Sequence, residues 1–124
     1  MRQTQRKGDI AVSQAVATFT KYGYDVSIPL TESAAYDLIV DTGLKLKRVQ
    51  VRYTSGKKVD LRRIHSNSQG YVVKKTIENA YDWLYIYTIE NEEFLIKSCL
   101  HNRRSISPTY KNLIANTLKL ENQV

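Results

Sequence analysis

Two short segments in which apolar and polar residues alternate constrain the fold of this chain more than any other feature. They cover residues 36–41 and 48–52. Such alternation predicts β-strands, in which residues two apart share a face. In the second strand, Gln50 and Arg52 therefore point to one side, and the two valines of that strand point to the other.

These strands bring together residue types that phosphodiester hydrolysis requires. The first strand carries Asp37, and the second presents an amide oxygen on Gln50 and a fixed cation on Arg52. Mg²⁺ prefers oxygen ligands, and a cation balances the charge that develops on the phosphate. The alternative interpretation is that Asp37 and Gln50 are ordinary polar residues of an edge strand.

Positive charge is concentrated in two segments of this chain of 124 residues, whose formal net charge is +7. Residues 45–75 hold ten of the nineteen Lys and Arg residues, with Asp60 as the one acid, and residues 97–120 hold five more and no acid. Basic segments beside an acidic strand are typical of a polyanion-binding surface around a metal site. A solvated basic face without a partner is the alternative.

The remaining pattern predicts an α/β fold and a single domain, residues 1–124. Apolar residues at helical spacing from Ile10 to Phe19 predict a first helix, which Gly23 ends. A short helical turn is expected at residues 77–81, and Pro108 is expected to start a last helix that extends to Leu120. The expected strands cover residues 24–30, 36–41, 46–53, 71–75, 83–87 and 93–97, with the third antiparallel to the second.

Several features favour a cytoplasmic protein. The apolar runs are short and broken by charge, so we expect no membrane span. Residues 1–7 are polar and lack the apolar stretch of a signal peptide. The single cysteine, Cys99, has no partner for an internal disulfide, which favours a reducing compartment.

Five motifs occur in an order that resembles the PD-(D/E)XK nucleases. They are Lys7-Gly8-Asp9-Ile10-Ala11, Gly23-Tyr24-Asp25-Val26, Pro29-Leu30, the strand 36–41, and Val49-Gln50-Val51-Arg52. They look most like the small homing endonucleases that bacterial group I introns encode, and the similarity runs from about residue 6 to residue 107. The resemblance implies a restriction-endonuclease-like core, a mixed central sheet flanked by helices in the order α-β-β-β-α-β.

The resemblance also implies a role for each matching residue. Asp37 would be the metal-binding Asp, and Gln50 stands where most members carry a second acid, as in the intron-encoded branch. The Val51 carbonyl is the third expected ligand for Mg²⁺ or another divalent cation. Arg52 stands where the family has Lys, and it stays protonated, so it stabilises negative charge but does not act as a base. This departure predicts a slow or disabled site.

The first helix departs from the family pattern too. Many members carry a Glu five residues after the Lys of the Lys-Gly motif, where this chain has Val12. Asp9 is the nearest replacement and completes the predicted catalytic set. The alternative is that Asp9 is a helix-terminal acid that interacts with the helix dipole.

Residues 60–70 are predicted to contact DNA, because Arg pairs with guanine edges and Asn or Gln with adenine edges in the major groove. Lysines are expected to contact phosphates. His65 is expected to touch phosphate or solvent rather than to act as a general base. The predicted DNA-binding residues are Lys7, Lys57, Lys58, Arg62, Arg63, His65, Asn67, Gln69, Lys74, Lys75, Arg103 and Arg104.

The implied substrate is double-stranded DNA at a long, pseudo-palindromic intron insertion site. Cutting both strands requires two active sites, so a homodimer or homotetramer is expected, without membrane association or a small-molecule substrate. The hairpin around Trp83 and the last helix are the predicted subunit interfaces, unless they close the monomer's own core. Three other functions fit these residues: a Holliday-junction resolvase, a DNA-binding protein that has lost catalysis, and an RNA-binding protein.

Overall fold

A computed structural model defines the fold for residues 3–31, 33–67, 70–74 and 78–121, with side chains described for residues 5–31, 33–62 and 78–118. Helix α1 covers Gln3–Lys21 and leads into strands β1 (Asp25–Ser27), β2 (Leu38–Asp41) and β3 (Leu46–Thr54). The later elements are β4 (Val59–Asp60), β5 (Arg63–Asn67), β6 (Gly70–Lys74), β7 (Trp83–Thr88), β8 (Glu93–Ile96), β9 (Ser105–Ile106), a 3-10 turn (Tyr110–Asn112) and α2 (Ile114–Glu121).

The main sheet has five strands in the order β1-β2-β3-β7-β8. β3 and β7 run parallel, and the other neighbours are antiparallel, so the sheet is mixed. The predicted antiparallel pairing of β2 with β3 is confirmed, as is the hairpin of β7 and β8. Two small sheets lie outside it, one of β4 with β9 and one of β5 with β6.

One core lies between the helices and one face of the sheet. Ala11, Ala15 and Phe19 of α1 pack against Val49 and Val51 of β3 in this core. The core also contains residues of the predicted interface elements, namely Trp83, Tyr85, Ile114 and Leu118. The hairpin and the last helix therefore close the monomer's own core with these side chains.

A second core covers the opposite face of the sheet. Leu84 and Ile86 of β7 contribute to it from the sheet, and Val59 and Leu61 are buried against them from the segment of β4. The small β4–β9 sheet, rather than a helix, therefore covers this face.

Gly23 ends α1 as predicted. It adopts a left-handed conformation with φ of 88°, which glycine tolerates because it lacks a Cβ. The Tyr24 N–H donates to the Phe19 carbonyl at 3.1 Å, and the Gly23 N–H donates to the Thr20 carbonyl at 3.0 Å. This pair of bonds satisfies the last carbonyls of the helix and turns the chain towards β1.

The prediction of a helical turn at residues 77–81 is wrong for residues 78–81, the part of this range that the structure describes. Glu78 and Asn79 form a turn instead. Asn79 is left-handed, with φ of 62°, and a right-handed helix does not continue through such a residue. Its carbonyl and side chain both accept hydrogen bonds from Arg48, which explains the local conformation.

The helix boundaries also differ from those expected. α1 begins at Gln3, well before the apolar residues that indicated it, and Gln3, Gln5, Arg6 and Lys7 in this polar beginning have good helix propensity. The last helix does not start at Pro108. A 3-10 turn with Thr109 as its N-cap comes first, and α2 begins only at Ile114.

The helices that the structure describes include none that is both long and apolar enough to cross a membrane.

A clamp of polar groups joins the starts of β3 and β7. The Arg48 side chain donates to Asp82 Oδ2 through Nε at 3.1 Å and to the Asn79 carbonyl through Nη1 at 3.0 Å. The backbone adds two further bonds: the Arg48 N–H donates to the side-chain Oδ2 of Asp82 at 2.8 Å, and the Asp82 N–H donates to the Arg48 carbonyl at 2.9 Å. The clamp therefore sets the register of the parallel pair.

Asp82→Ala is expected to lower the free energy of unfolding by about 1–2 kcal/mol, because it removes charged hydrogen bonds that are only partly shielded from water. The Asp82 side chain is 34% exposed. Urea denaturation at pH 7 measures the loss. Asp25→Ala on the exposed edge strand β1 is the matched control, and an equal loss in both variants would contradict the clamp.

The loss should depend on pH. Burial alone would raise the pKa of Asp82, but the hydrogen bonds from Arg48 outweigh it and hold that pKa below its ordinary value. The stabilisation is thus present above about pH 4 and is lost as the pH falls through the folded-state pKa. Urea denaturation at lower pH should show the difference between wild type and variant shrinking, whereas a constant difference would mean that the charge of Asp82 is unimportant.

Candidate active site

The register of β2 and β3 places Asp37 opposite Gln50. Leu38 pairs with Val49, and the Asp37 N–H donates to the Val49 carbonyl at 2.8 Å, which extends the ladder by one residue. The Gln50 Nε2 donates to Asp37 Oδ2 at 3.2 Å. The Val51 N–H donates to the same oxygen at 2.8 Å. The structure thus brings together the first two residues that the sequence singled out.

Burial rules out one alternative for this pair. β3 is the central strand of the sheet, not an edge strand, and Gln50 is only 8% exposed. Its side chain shares a sheet face with Leu84, its partner on β7. A buried amide needs a hydrogen-bonding partner, and the Asp37 carboxylate supplies one. The pair is therefore an organised polar site at the margin of the second core.

Two cations flank Gln50 along β3. Arg48 and Arg52 lie two residues before and after it and so share its face of the strand. Arg48 is held in the clamp by Asp82. The hydrogen bond from Arg62 holds the pKa of the Asp60 carboxyl below its ordinary value, and the charge of Arg52 adds slightly to this effect. Burial raises the pKa of Tyr81, and the charge of Arg52 opposes that rise. Arg52 therefore adds a positive charge to the face of β3 that carries Gln50.

Asp9 lies in a different layer of the molecule. It is exposed on α1, about 200° around the helix axis from the core-facing Ala11, because successive residues turn by about 100°. α1 packs on the sheet face of Val51, opposite the face of Gln50. The helix-terminal alternative is wrong, since the helix begins at Gln3 and has no acid in its first turn.

The donor atoms of this site are oxygens of the kinds that a divalent cation accepts as ligands. Asp37 supplies one carboxylate, Gln50 one amide oxygen and Val51 one backbone carbonyl. A half-turn of the Gln50 amide would set Oε1 beside Asp37 Oδ2 in place of Nε2. Among the side chains that the structure describes, no group of three or more His, Cys, Asp or Glu residues could hold a metal. The set fits Mg²⁺, which needs one or two carboxylates and takes its other ligands from water and substrate phosphate.

The predicted DNA-binding residues fall in several places. Lys7 lies on α1, with its ammonium 5.6 Å from the centre of the Tyr53 ring. Lys57 is exposed in the loop between β3 and β4, and Arg103 is exposed before β9. The structure brings together three of the others, Lys58, Arg62 and Arg104, which line one depression.

The remaining predicted DNA-binding residues belong to the β5–β6 hairpin or follow it. Arg63 pairs with Lys74 across this hairpin, and His65 and Asn67 lie on the same strand as Arg63. Gln69 and Lys75 lie outside the described residues. Residues 63–67, where no strand was predicted, thus form an antiparallel strand that follows β4 in the chain.

Two acidic residues have clear structural roles that were not predicted from the sequence. Asp82 closes the clamp on Arg48, and Asp60 binds Arg62. A signal existed for Asp60, because it is the single acid in the basic run 45–75. No local pattern indicated Asp82, whose partner is 34 residues away in the chain.

Comparisons with known proteins identify relatives of this fold. The sequence profile of the PD-(D/E)XK endonuclease family matches residues 2–104. The solved structure of a bacterial homing endonuclease, I-Ssp6803I, matches with a TM-score of 0.79 and 25% sequence identity, over 98% of this chain and 95% of that chain. No curated protein matched in a sequence search. The matches confirm the restriction-endonuclease-like fold class.

Gln50→Glu is expected to make the site bind Mg²⁺ more tightly in the absence of DNA. Two carboxylates within hydrogen-bonding distance repel each other, so the variant should lose about 1–2 kcal/mol of stability at pH 8 in EDTA. Mg²⁺ should restore this loss. Thermal melts with EDTA and with Mg²⁺ measure both effects. The control is Gln5→Glu on the exposed first turns of α1, and an equal Mg²⁺ response in all three proteins would exclude the pair as the metal site.

Proposed function

The chain belongs to the PD-(D/E)XK endonuclease family, and from this premise we propose that it is a Mg²⁺-dependent homing endonuclease that cuts double-stranded DNA at a specific site. The contact between Asp37 and Gln50 is the observation that carries the proposal, because it joins two metal-ligand candidates at the central strand. The name of the structural relative I-Ssp6803I, a bacterial homing endonuclease, supports the homing class.

In the proposed mechanism, Asp37, Gln50 and the Val51 carbonyl would hold the metal. When bound, Mg²⁺ would supply an activated water and neutralise phosphate charge. The Val51 N–H keeps the Asp37 carboxylate oriented, since it donates to Oδ2. Arg52 stabilises the negative charge that develops on the phosphate oxygens, and because it stays protonated it does not accept the proton of the attacking water, which passes to solvent.

The proposed target is a long, pseudo-palindromic site at which a group I intron inserts. Two copies of the chain would place one active site on each strand, so we propose a homodimer or homotetramer that acts in the cytoplasm. The basic residues on either side of β4, in the β5–β6 hairpin and in the segment before β9 would contact this DNA. The hairpin supports major-groove contact, because that groove accommodates a two-stranded β-ribbon.

A DNA-binding protein without catalytic activity is the second candidate function, and two observations favour it. Arg52 replaces the Lys of the motif. Val12, at the position of the family Glu, packs against the helix-side core and offers no ligand. A Holliday-junction resolvase would share the fold and differ in substrate. Cleavage assays with linear duplex DNA and with four-way junctions separate these functions.

Asp37→Asn is expected to abolish cleavage, with at least a hundredfold loss of rate, and to leave DNA affinity within about twofold. The variant removes the only carboxylate of the proposed ligand set but keeps an acceptor for the Val51 N–H. Cleavage in Mg²⁺, with EDTA as the blank, and gel-shift affinity measure the two properties. Normal cleavage by the variant would overturn the active-site assignment.

Arg52→Lys is expected to raise the cleavage rate by about tenfold or more, because a lysine ammonium can lose a proton and arginine does not. The rate should then rise with pH over the range in which the lysine titrates. Lys47→Arg, a reversed exchange on the same strand, is the control. An unchanged or lower rate in Arg52→Lys would show that arginine is the catalytically effective residue at this position. Cleavage by Arg52→Lys but not by the wild type would support the second candidate function, a DNA-binding protein without catalytic activity.

A further inference from the structure

The small β4–β9 sheet has one apolar face and one charged face. Val59 and Leu61 are almost fully buried in the second core. Since side chains alternate along a strand, Lys58, Asp60 and Arg62 point to the opposite, outer side. Strand β9 forms the other wall of this surface. It pairs antiparallel with β4 and places Ser105 opposite Asp60.

These residues line a depression of about 430 Å³. Its walls are Lys58, Asp60, Arg62, Arg104 and Ser105. The Leu61 N–H donates to the Arg104 carbonyl at 2.9 Å, so a backbone bond fixes the segment that carries Arg104 beside β4. The depression therefore joins two segments that are distant in sequence and collects three cations around one carboxylate.

Asp60 orients one of these cations. Its two oxygens accept hydrogen bonds from Arg62, from Nε at 3.1 Å and from Nη2 at 2.9 Å, and Oδ1 also accepts the Arg62 N–H at 2.9 Å. Among the described side chains, the salt bridges are Arg62 with Asp60 and Arg48 with Asp82. Lys58 and Arg104 thus have no carboxylate partner within that part of the chain.

We propose that this depression binds a backbone phosphate of the DNA other than the scissile one. Lys58 and Arg104 supply the charge, and Ser105 adds a hydroxyl donor. Arg62 adds those guanidinium N–H groups that do not donate to Asp60. Neither Asp37 nor Gln50 lines the depression, so it is a separate subsite. The proposal rests on the proposed function, because it assigns DNA as the ligand.

Asp60 has a defined part in this proposal. Its carboxylate repels a phosphate but holds Arg62 in place through three hydrogen bonds. We assign it as a positioning residue. A phosphate in the depression attracts the Arg62 guanidinium and therefore competes with the Asp60 carboxylate for that side chain.

The test is the salt dependence of binding to a fluorescently labelled duplex of mixed sequence, measured by anisotropy in EDTA so that no cleavage occurs. Each phosphate contact adds about 0.9 to the slope of log K against log salt concentration. Lys58→Gln and Arg104→Gln should each lower the slope by about that amount. Lys21→Gln, on the exposed end of α1 across the sheet, should leave it unchanged. Urea midpoints confirm that all variants fold.

The outcomes separate the subsite from the function. If the wild type shows a strong salt slope but Lys58→Gln and Arg104→Gln match Lys21→Gln, the subsite is wrong and the nuclease proposal stands. If the wild type shows no salt-dependent binding to duplex DNA, the proposed function fails first. If the two variants lose slope only with single-stranded RNA, DNA is the wrong ligand.

Asp60→Asn tests the positioning role separately. The variant removes the repelling charge but keeps an acceptor for Arg62, so duplex affinity should rise several-fold with an unchanged salt slope. Weaker binding, or a reduced salt slope, in the folded variant would overturn this role of Asp60.

Discussion

Hydrogen bonds to both neighbouring strands fix the register of β3. This register decides which side chains of β3 face each side of the sheet. The Asp37 N–H bonds the Val49 carbonyl on one side, and the Arg48–Asp82 clamp ties β3 to β7 on the other. A slip by one residue would turn Gln50 and Arg52 into the helix-side core. It would also remove Val49 and Val51 from that core, where the burial of each contributes about 1.5–3 kcal/mol.

Charge on the site face of β3 is arranged around a neutral centre. Arg48 is paired with Asp82, Arg52 adds a second positive charge, and Gln50 lies between the two arginines. In the proposed mechanism, Asp37 is then the one carboxylate that faces the metal. Such a site should bind Mg²⁺ weakly by itself, and substrate phosphate would supply the missing negative charge, which couples metal binding to DNA binding.

Elements with a strong local signal were predictable. The alternation in β2 and β3 and the glycine after α1 follow from rules that act within a few residues. The turn at Asn79 was not predictable, because its conformation depends on hydrogen bonds from Arg48 far along the chain. β4 and β9 have only two residues each, too few for a visible pattern, and they exist because each pairs with the other over a buried apolar face.

The sequence by itself determined which residues carry chemistry: the alternation on β3 separates Gln50 and Arg52 from the valines, and the basic run marks a surface for a polyanion. Only the tertiary structure decided which of these residues meet. It set Asp37 against Gln50, gathered Lys58, Arg62 and Arg104 into one depression, and left Asp9 on the outside of α1. The physical reason is that side-chain alternation is a local property of the backbone, whereas strand pairing and packing join residues whose separation in sequence carries no signal of their contact.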